Sequence, residues 1–169
     1  MATEPILFRE RQRLPNWALV VIIVLGVGLP LYIAFQQLWL GRPFGDKPMS
    51  NRGVAVLVPC IILPVLALAR LNLDTRLYRD RLRVRLFPFA DDNFPLSRIV
   101  RWEVRNYSAI KEFMGWGVRY GSGGIGYTMK GNHGLQLILD DGSRVLVGSQ
   151  RPKDIASALT TAATERCPN

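Results

Sequence analysis

Three residues in the stretch RYGSGGIGYTMKGNHG, residues 119–134, have the spacing of a phosphate loop: Gly121, Gly123 and Gly126 spell G-x-G-x-x-G. Such a loop holds a pyrophosphate when it follows a strand and opens a helix, whose N-terminal N–H groups face the anion. Here the strand-like GWGVRY precedes it, but YTMKGNHG follows, with Thr128, Gly131 and Gly134 and no helical face. The kinase form of the loop does sit in a hairpin, yet it requires a strand lysine, an H-R-D loop and a D-F-G, and the sequence has none of these. The plainer expectation is that Gly121, Gly123, Gly124 and Gly126 adopt positive φ in a hairpin or bulge. A nucleotide-binding enzyme built on the Gly121–Gly126 loop is the least favoured reading.

Other reactive side chains are no better placed. His133 is the sole histidine and lies in a Gly-flanked turn without a second metal ligand. Asp91–Asp92 and Asp140–Asp141 stand in Pro- and Gly-containing stretches, where adjacent aspartates read as turn formers rather than as a carboxylate pair. Ser149 has no histidine base at a workable spacing, and G-x-S-x-G does not occur. Cys60 and Cys167 are too far apart to form a metal motif or a disulfide framework. The expectation is therefore a protein that is not an enzyme, with no catalytic residue, no cofactor and no metal.

The arginines are different. TRLYRDRLRVRLF carries Arg76, Arg79, Arg81, Arg83 and Arg85. The spacing Arg81-x-Arg83-x-Arg85 sets three guanidiniums on one face of a strand, about 6–7 Å apart. Such a comb suits phosphates or anionic headgroups, which makes Arg79, Arg81, Arg83 and Arg85 the candidate anion or headgroup contacts. Two plainer roles compete with that one. Basic residues follow a membrane span for topology alone, and they supply the wet face of an amphipathic strand.

Whether such a comb meets a ligand depends on the elements that carry it. The chain has 169 residues and a formal net charge of +9, with a mean hydropathy of +0.11. Basicity and apolarity coexist most simply when they are segregated in space. A basic balance suits nucleic acid or an anionic membrane surface; the apolar runs favour the membrane, and no nucleic-acid partner is expected.

The first run, NWALVVIIVLGVGLPLYIAFQQLWL over residues 16–40, has no charge from Trp17 to Phe35. About 20 apolar residues cross the hydrocarbon core, Trp17 and Trp39 suit its two interfaces, and Pro30 predicts a kink. A cleaved signal peptide competes, but its apolar region is usually shorter and no A-x-A site follows. The second run, GVAVLVPCIILPVLALA over 53–69, is bracketed by Arg52 and Arg70. A buried soluble helix competes here; Pro59, Pro64 and all-round apolarity weigh against it. GRPFGDKPMSNR between the runs reads as a turn. That loop holds Arg42, Lys47 and Arg52, whereas Arg9, Arg11 and Arg13 precede the first run and Arg70, Arg76, Arg79, Arg81, Arg83 and Arg85 follow the second. The positive-inside rule then predicts an inner-membrane protein of two spans, about 16–38 and 53–70, with both termini cytoplasmic.

From Asn72 the pattern changes to period two. RLRVRLF alternates Leu82, Val84 and Leu86 with the arginines; VRWEV sets Val100, Trp102 and Val104 against Arg101 and Glu103; LQLILD carries Leu135, Leu137 and Leu139. Seven antiparallel strands are predicted near 73–79, 81–87, 98–106, 115–120, 124–130, 134–139 and 143–148, with Asp91 and Asp92 in a loop between Pro88 and Pro95. Asp141-Gly142 marks a hairpin turn. Ile155, Ala158, Leu159 and Ala162 recur at helical spacing after Pro152, and Ser149 is a candidate cap. The expected organisation is a basic segment 1–15, a helical hairpin 16–71, a domain 72–165 and a tail 166–169.

Gly115-Trp116-Gly117 opening a strand, the Gly-rich turn ending at Tyr127, the Gly131…Gly134 turn, the DG hairpin and GSQRP before the helix together resemble the bacterial PH-domain family, in particular its small membrane proteins with two spans before the domain. The resemblance covers roughly residues 70–160. It implies an α+β fold: two transmembrane helices, then a PH-like seven-stranded antiparallel sandwich or barrel capped by one C-terminal helix. It implies no catalytic residue. Eukaryotic PH domains bind phosphoinositides through basic residues on their first two strands, the strands that carry the comb here. The expected function is a non-catalytic module, embedded in the lipid bilayer, that binds an unknown protein partner or steadies an assembly. The alternative is a sensor of anionic lipid headgroups.

Overall fold

The computed structural model describes residues 5–43, 45, 47–121 and 123–166. It is an α+β structure in two units. One comprises residues up to Arg13 together with the chain from Asn72 onward; the other is Leu14–Leu71.

Leu14–Leu71 holds two helices, Asn16–Trp39 and Asn51–Ala69, each long and apolar enough to cross a membrane by length and composition. The expected spans are therefore helices within a residue or two of the predicted bounds. The first is not uniform. Val24–Gly28 is a π-helical segment that ends two residues before Pro30. A proline lacks its N–H and crowds the carbonyl four residues earlier, and a wider π turn there relieves both. A second π segment, Phe35–Trp39, closes the helix. The second helix runs through Pro59 and Pro64 without interruption and is capped by Ser50, whose hydroxyl accepts from the Gly53 N–H at 3.2 Å. The two helices touch at a small residue: a Cβ added at Gly26 would lie 2.7 Å from a Val65 methyl carbon. Near the turn, the buried Gln37 amide donates to the Met49 carbonyl and to Asn51 Oδ1.

The other unit contains two sheets and a C-terminal helix. One sheet has the order β1-β2-β3-β4, with β1 Phe8–Arg13, β2 Asn72–Leu77, β3 Arg81–Phe87 and β4 Ala90–Pro95. The second has the order β5-β8-β9-β7-β6, with β5 Ile99–Asn106, β6 Gly117–Gly121, β7 Gly124–Thr128, β8 His133–Leu139 and β9 Arg144–Gly148. All seven expected strands are present. Four features were not expected. Phe8–Arg13 is a strand that pairs along its whole length with β2, so the domain begins before the helical hairpin, not after it. Ala90–Pro95 is a strand and not a loop. The pairing of β7 with β9 is parallel, against an all-antiparallel expectation. A short helix, Ala109–Phe113, lies between β5 and β6. The two sheets do not close into a barrel.

The core is built from the alternations. Leu82, Val84 and Leu86 of β3, Leu135 and Leu137 of β8, Val145 and Val147 of β9, and Ile155 and Leu159 of the helix Pro152–Arg166 are all almost fully buried. Burying a leucine- or isoleucine-sized side chain contributes roughly 1.5–3 kcal/mol, so these positions dominate the fold. β5 is the exception. Its apolar row was expected to face inward, yet Val100 is 66 % and Val104 42 % exposed. β5 is a sheet edge, and an irregularity between Ile99 and Arg101 takes Val100 out of register.

Candidate functional site

The register of β1, β2 and β3 assembles a basic surface that no single strand reveals. On the outer face, Arg9 stands opposite Arg76, and Arg76 opposite Arg83. One step toward the hairpin junction, Arg11 faces Asp74, Asp74 faces Arg85, and Arg85 faces Asp91. The last row is Arg13, Asn72 and Phe87. With Arg81 this face carries Arg9, Arg11, Arg13, Arg76, Arg81, Arg83 and Arg85 against Asp74 and Asp91. Like charges directly opposed across strands destabilise a sheet, so the Arg9–Arg76–Arg83 row is held by the acids diagonal to it.

Those ion pairs are explicit. Arg76 donates to Asp74 Oδ2 from Nε at 2.9 Å and from Nη2 at 2.6 Å, and Arg9 lies 3.7 Å from the same carboxylate. Arg83 forms a two-pronged pair with Asp91 at 2.7 and 2.6 Å, and Arg85 approaches Asp91 at 3.7 Å. The hydrogen bonds from Arg83 hold the Asp91 carboxyl below the usual carboxylate range, and the same contact raises the arginine. A small crevice is lined by Asp74, Arg76, Arg83 and Arg85.

The predicted comb is thus real as geometry and altered as chemistry. Arg81, Arg83 and Arg85 do share the outer face of β3, but Arg83 and Arg85 share one acid, and Arg81 pairs with Asp80 at 2.7 Å and lies over the Tyr78 ring. Arg79 does not join them: it sits in the β2–β3 turn and points to Glu165 of the C-terminal helix at 3.9 Å. Sequence reasoning missed Arg9, Arg11 and Arg13 as site residues, because they were counted only for membrane topology. Their i, i+2 spacing matched that of the comb and was the signal available.

The glycine loop does not have the strand-to-helix setting of a dinucleotide fingerprint. It joins β6 to β7 as a hairpin, with no helix after it; Ser122 lies outside the described residues. The expectation of four positive-φ glycines is corrected: of Gly121, Gly123, Gly124 and Gly126, only Gly124 has positive φ, at 94°. The others give clearance. A Cβ on Gly121 would lie 2.0 Å from the Glu112 carbonyl oxygen, and one on Gly126 would lie 2.6 Å from the Phe113 ring. The short helix Ala109–Phe113 therefore rests on a floor without side chains.

Asp92 is not a turn former. It lies in β4 and its carboxylate accepts from the Tyr127 hydroxyl at 2.6 Å; burial, together with that bond, raises the tyrosine pKa. Asp140 and Asp141 do form a turn, bridged by Arg98 at 3.0 and 2.7 Å. His133 meets Asn106 Oδ1 at 2.5 Å on the surface, and among the described residues no cluster could hold a metal. Ser149, the candidate cap, lies three residues before the helix Pro152–Arg166 and does not cap it: it accepts from the Arg151 N–H at 3.0 Å in the preceding turn and donates to Glu10 Oε2 at 2.5 Å. Cys60 is exposed on its helix; Cys167 lies outside the described residues.

A second surface was not foreseen. Ile110, Met114, Trp116 and Tyr120 are all exposed, Met114 to 88 %, on the short helix, at its left-handed cap, in the link to β6 and on β6. Scattered single apolar residues need no explanation, but apolar residues gathered on adjoining elements mark interaction surfaces.

No protein-family model matches the chain, and no curated protein is similar to it in sequence.

Proposed function

We propose that the chain is a non-catalytic, membrane-anchored module whose PH-like domain binds a protein partner at the cytoplasmic face of the membrane. The observation that carries this reading is the pairing of β1 with β2 around the apolar unit Leu14–Leu71. A strand before the first apolar helix and a strand after the second belong to one sheet, so both lie on one side of any membrane the two helices cross. A cleaved signal peptide would remove β1, whose Phe8 and Glu10 are buried in the domain. Keeping the domain on the side of synthesis requires no transfer of a basic domain across lipid, in accord with the arginine excess on that side.

The exposed apolar surface Ile110–Tyr120 and the Arg9–Arg76–Arg83 row are the two faces suited to a partner. A headgroup sensor working through the comb alone is the weaker reading, because Arg83 and Arg85 already share Asp91. The test is affinity purification of the tagged full-length chain from native membranes, beside a Met114→Asp/Trp116→Asp variant. A protein captured by the parent and lost from the variant supports the reading. Equal capture by both, or none, overturns the apolar face as the docking surface.

A further inference from the structure

The outer face of the first sheet ends in aromatic rings. Phe87 closes the row Arg13–Asn72–Phe87, and the β3–β4 turn continues through Pro88 to Phe89, whose N–H donates to the Leu86 carbonyl at 2.7 Å. Phe87 is 42 % exposed and Phe89 69 %. Arg85 lies over the Phe87 ring, 5.5 Å from its centroid, and Arg85, Phe87, Pro88, Phe89, Ala90 and Asp91 line an open depression. Two phenyl rings in water at a hairpin tip have no part in the core.

Their position in the chain supplies the reason. The same row holds the two residues at which the chain leaves and rejoins the sheet. Only Leu14 and Pro15 separate Arg13 from the first apolar helix, and only Arg70 and Leu71 separate the second from Asn72. Two linking residues reach at most about 11 Å between the flanking Cα atoms. If the helices span a bilayer, this end of the sheet is the end that meets its surface.

We propose that the Phe87–Pro88–Phe89 turn is seated in the membrane interface, with its rings at the headgroup–acyl boundary and Arg11 and Arg13 among the anionic headgroups. The proposal rests on the membrane-spanning reading above. Interfacial apolar groups enter roughly 5–10 Å, which a hairpin tip matches. Two residues of a strand advance about 6.6 Å, and the field of an anionic leaflet decays over about 8–10 Å. The Arg13 and Arg11–Arg85 rows therefore feel the lipid. Arg81 and Arg79, six residues or more up the hairpin from Phe87, stand about 20 Å away and do not. Arg11 and Arg13 have no ion-pair partner among the described residues, unlike Arg76, Arg83 and Arg85.

The experiment uses the full-length chain with Cys60→Ala and Cys167→Ser, reconstituted in vesicles of phosphatidylglycerol and phosphatidylethanolamine. Phe89→Cys or, at the opposite end of the hairpin, Asp80→Cys carries a bimane label, and nitroxide-labelled lipids serve as quenchers. Carbonate extraction is run on the same vesicles. The expected result is blue-shifted emission and at least about twofold quenching at position 89, with little at position 80, in protein that resists carbonate. Equal, weak quenching at both positions in carbonate-resistant protein overturns the seated turn and leaves the spans intact. Release by carbonate overturns the spanning reading and the seated turn with it.

Discussion

Arg13 and Asn72 are register partners across β1 and β2, although the entire helical unit Leu14–Leu71 lies between them in sequence. The hairpin is thus an insertion into a sheet, made where two adjacent strand ends could otherwise be joined by a tight turn. Replacing residues 14–71 by Asn-Gly, which favours a two-residue hairpin turn, is expected to yield a soluble folded domain. A fragment starting at Asn72 lacks β1 and is expected to aggregate. Dispersion of amide proton resonances checks both, and a well-dispersed spectrum from the 72–169 fragment would refute the role given to β1.

Glu10 is the strongest tie of that strand. Its carboxylate, nearly buried, accepts from Ser149 Oγ at 2.5 Å, from the Gln150 N–H at 2.8 Å and from Gln12 Nε2 at 3.1 Å. Glu10→Ala strands those donors, and hydrogen bonds to a charged group contribute about 1.5–3 kcal/mol. The expected loss is of that order, read as a lowered urea midpoint of the full chain in detergent. A midpoint unchanged in Glu10→Ala would mean that backbone pairing, Phe8 and Gln12 hold β1 without help from the Glu10 carboxylate.

This network also explains what could be read in the sequence and what could not. Strand β3 announces itself because Leu82, Val84 and Leu86 alternate with arginines. Strand β1 has the same period, but its inward residues are Phe8, Glu10 and Gln12, and the polar pair finds partners in Ser149, Gln150 and Gly148 far along the chain. Hydrophobic alternation cannot register a strand whose inner face is bonded rather than greasy. Strand β4 fails for the same reason, since Asp92 turns toward Tyr127 and Asp91 toward Arg83. The alternation in β5 was legible but misleading, because an edge strand with a register slip leaves Val100 and Val104 exposed. The arginine comb was legible along one strand; the cross-strand row Arg9–Arg76–Arg83 required the pairing.

The acid limb of stability follows from Asp91. Its pKa is lowered in the folded chain, first by the hydrogen bonds from Arg83 and then by neighbouring arginine charge. A lowered folded-state pKa gives stabilisation that is present above the unfolded carboxylate value, about 3.9, and that fades as pH falls below it through the folded value. The pair is more than a third exposed, so solvent screening keeps its contribution small. Asp91→Asn is expected to flatten the loss of thermal stability between about pH 4 and pH 2 while lowering stability slightly at neutral pH. Identical pH profiles for parent and variant would assign the acid sensitivity elsewhere.

Gly126 separates the two accounts of the glycine loop. An added methyl would meet the Phe113 ring at 2.6 Å, and overpacking of a tight contact costs about 1–3 kcal/mol. Gly126→Ala is expected to lower the melting temperature whether or not nucleotide is present, and neither ATP nor NAD is expected to shift the melting of the parent chain. A parent shift that Gly126→Ala abolishes would restore the phosphate-loop reading.

Arg9 tests whether the basic row is kept for binding rather than for stability. It opposes Arg76 directly and lies only at 3.7 Å from Asp74, while Arg76 holds that acid at 2.6 Å. The two arginines therefore respond oppositely. Arg76→Gln removes the close partner of a nearly buried carboxylate and is expected to destabilise, whereas Arg9→Gln relieves a like-charge contact and is expected to be neutral or stabilising by a few tenths of a kcal/mol. Arg9→Gln should nonetheless weaken binding of the detergent-solubilised chain to a polyglutamate peptide and flatten the salt dependence of that binding, because exposed charge acts through the screened field. Titration of labelled peptide at low and physiological salt, beside urea unfolding of each variant, gives both readouts. A variant that loses stability and leaves peptide binding unchanged would make Arg9 a structural residue and take the row out of the binding surface.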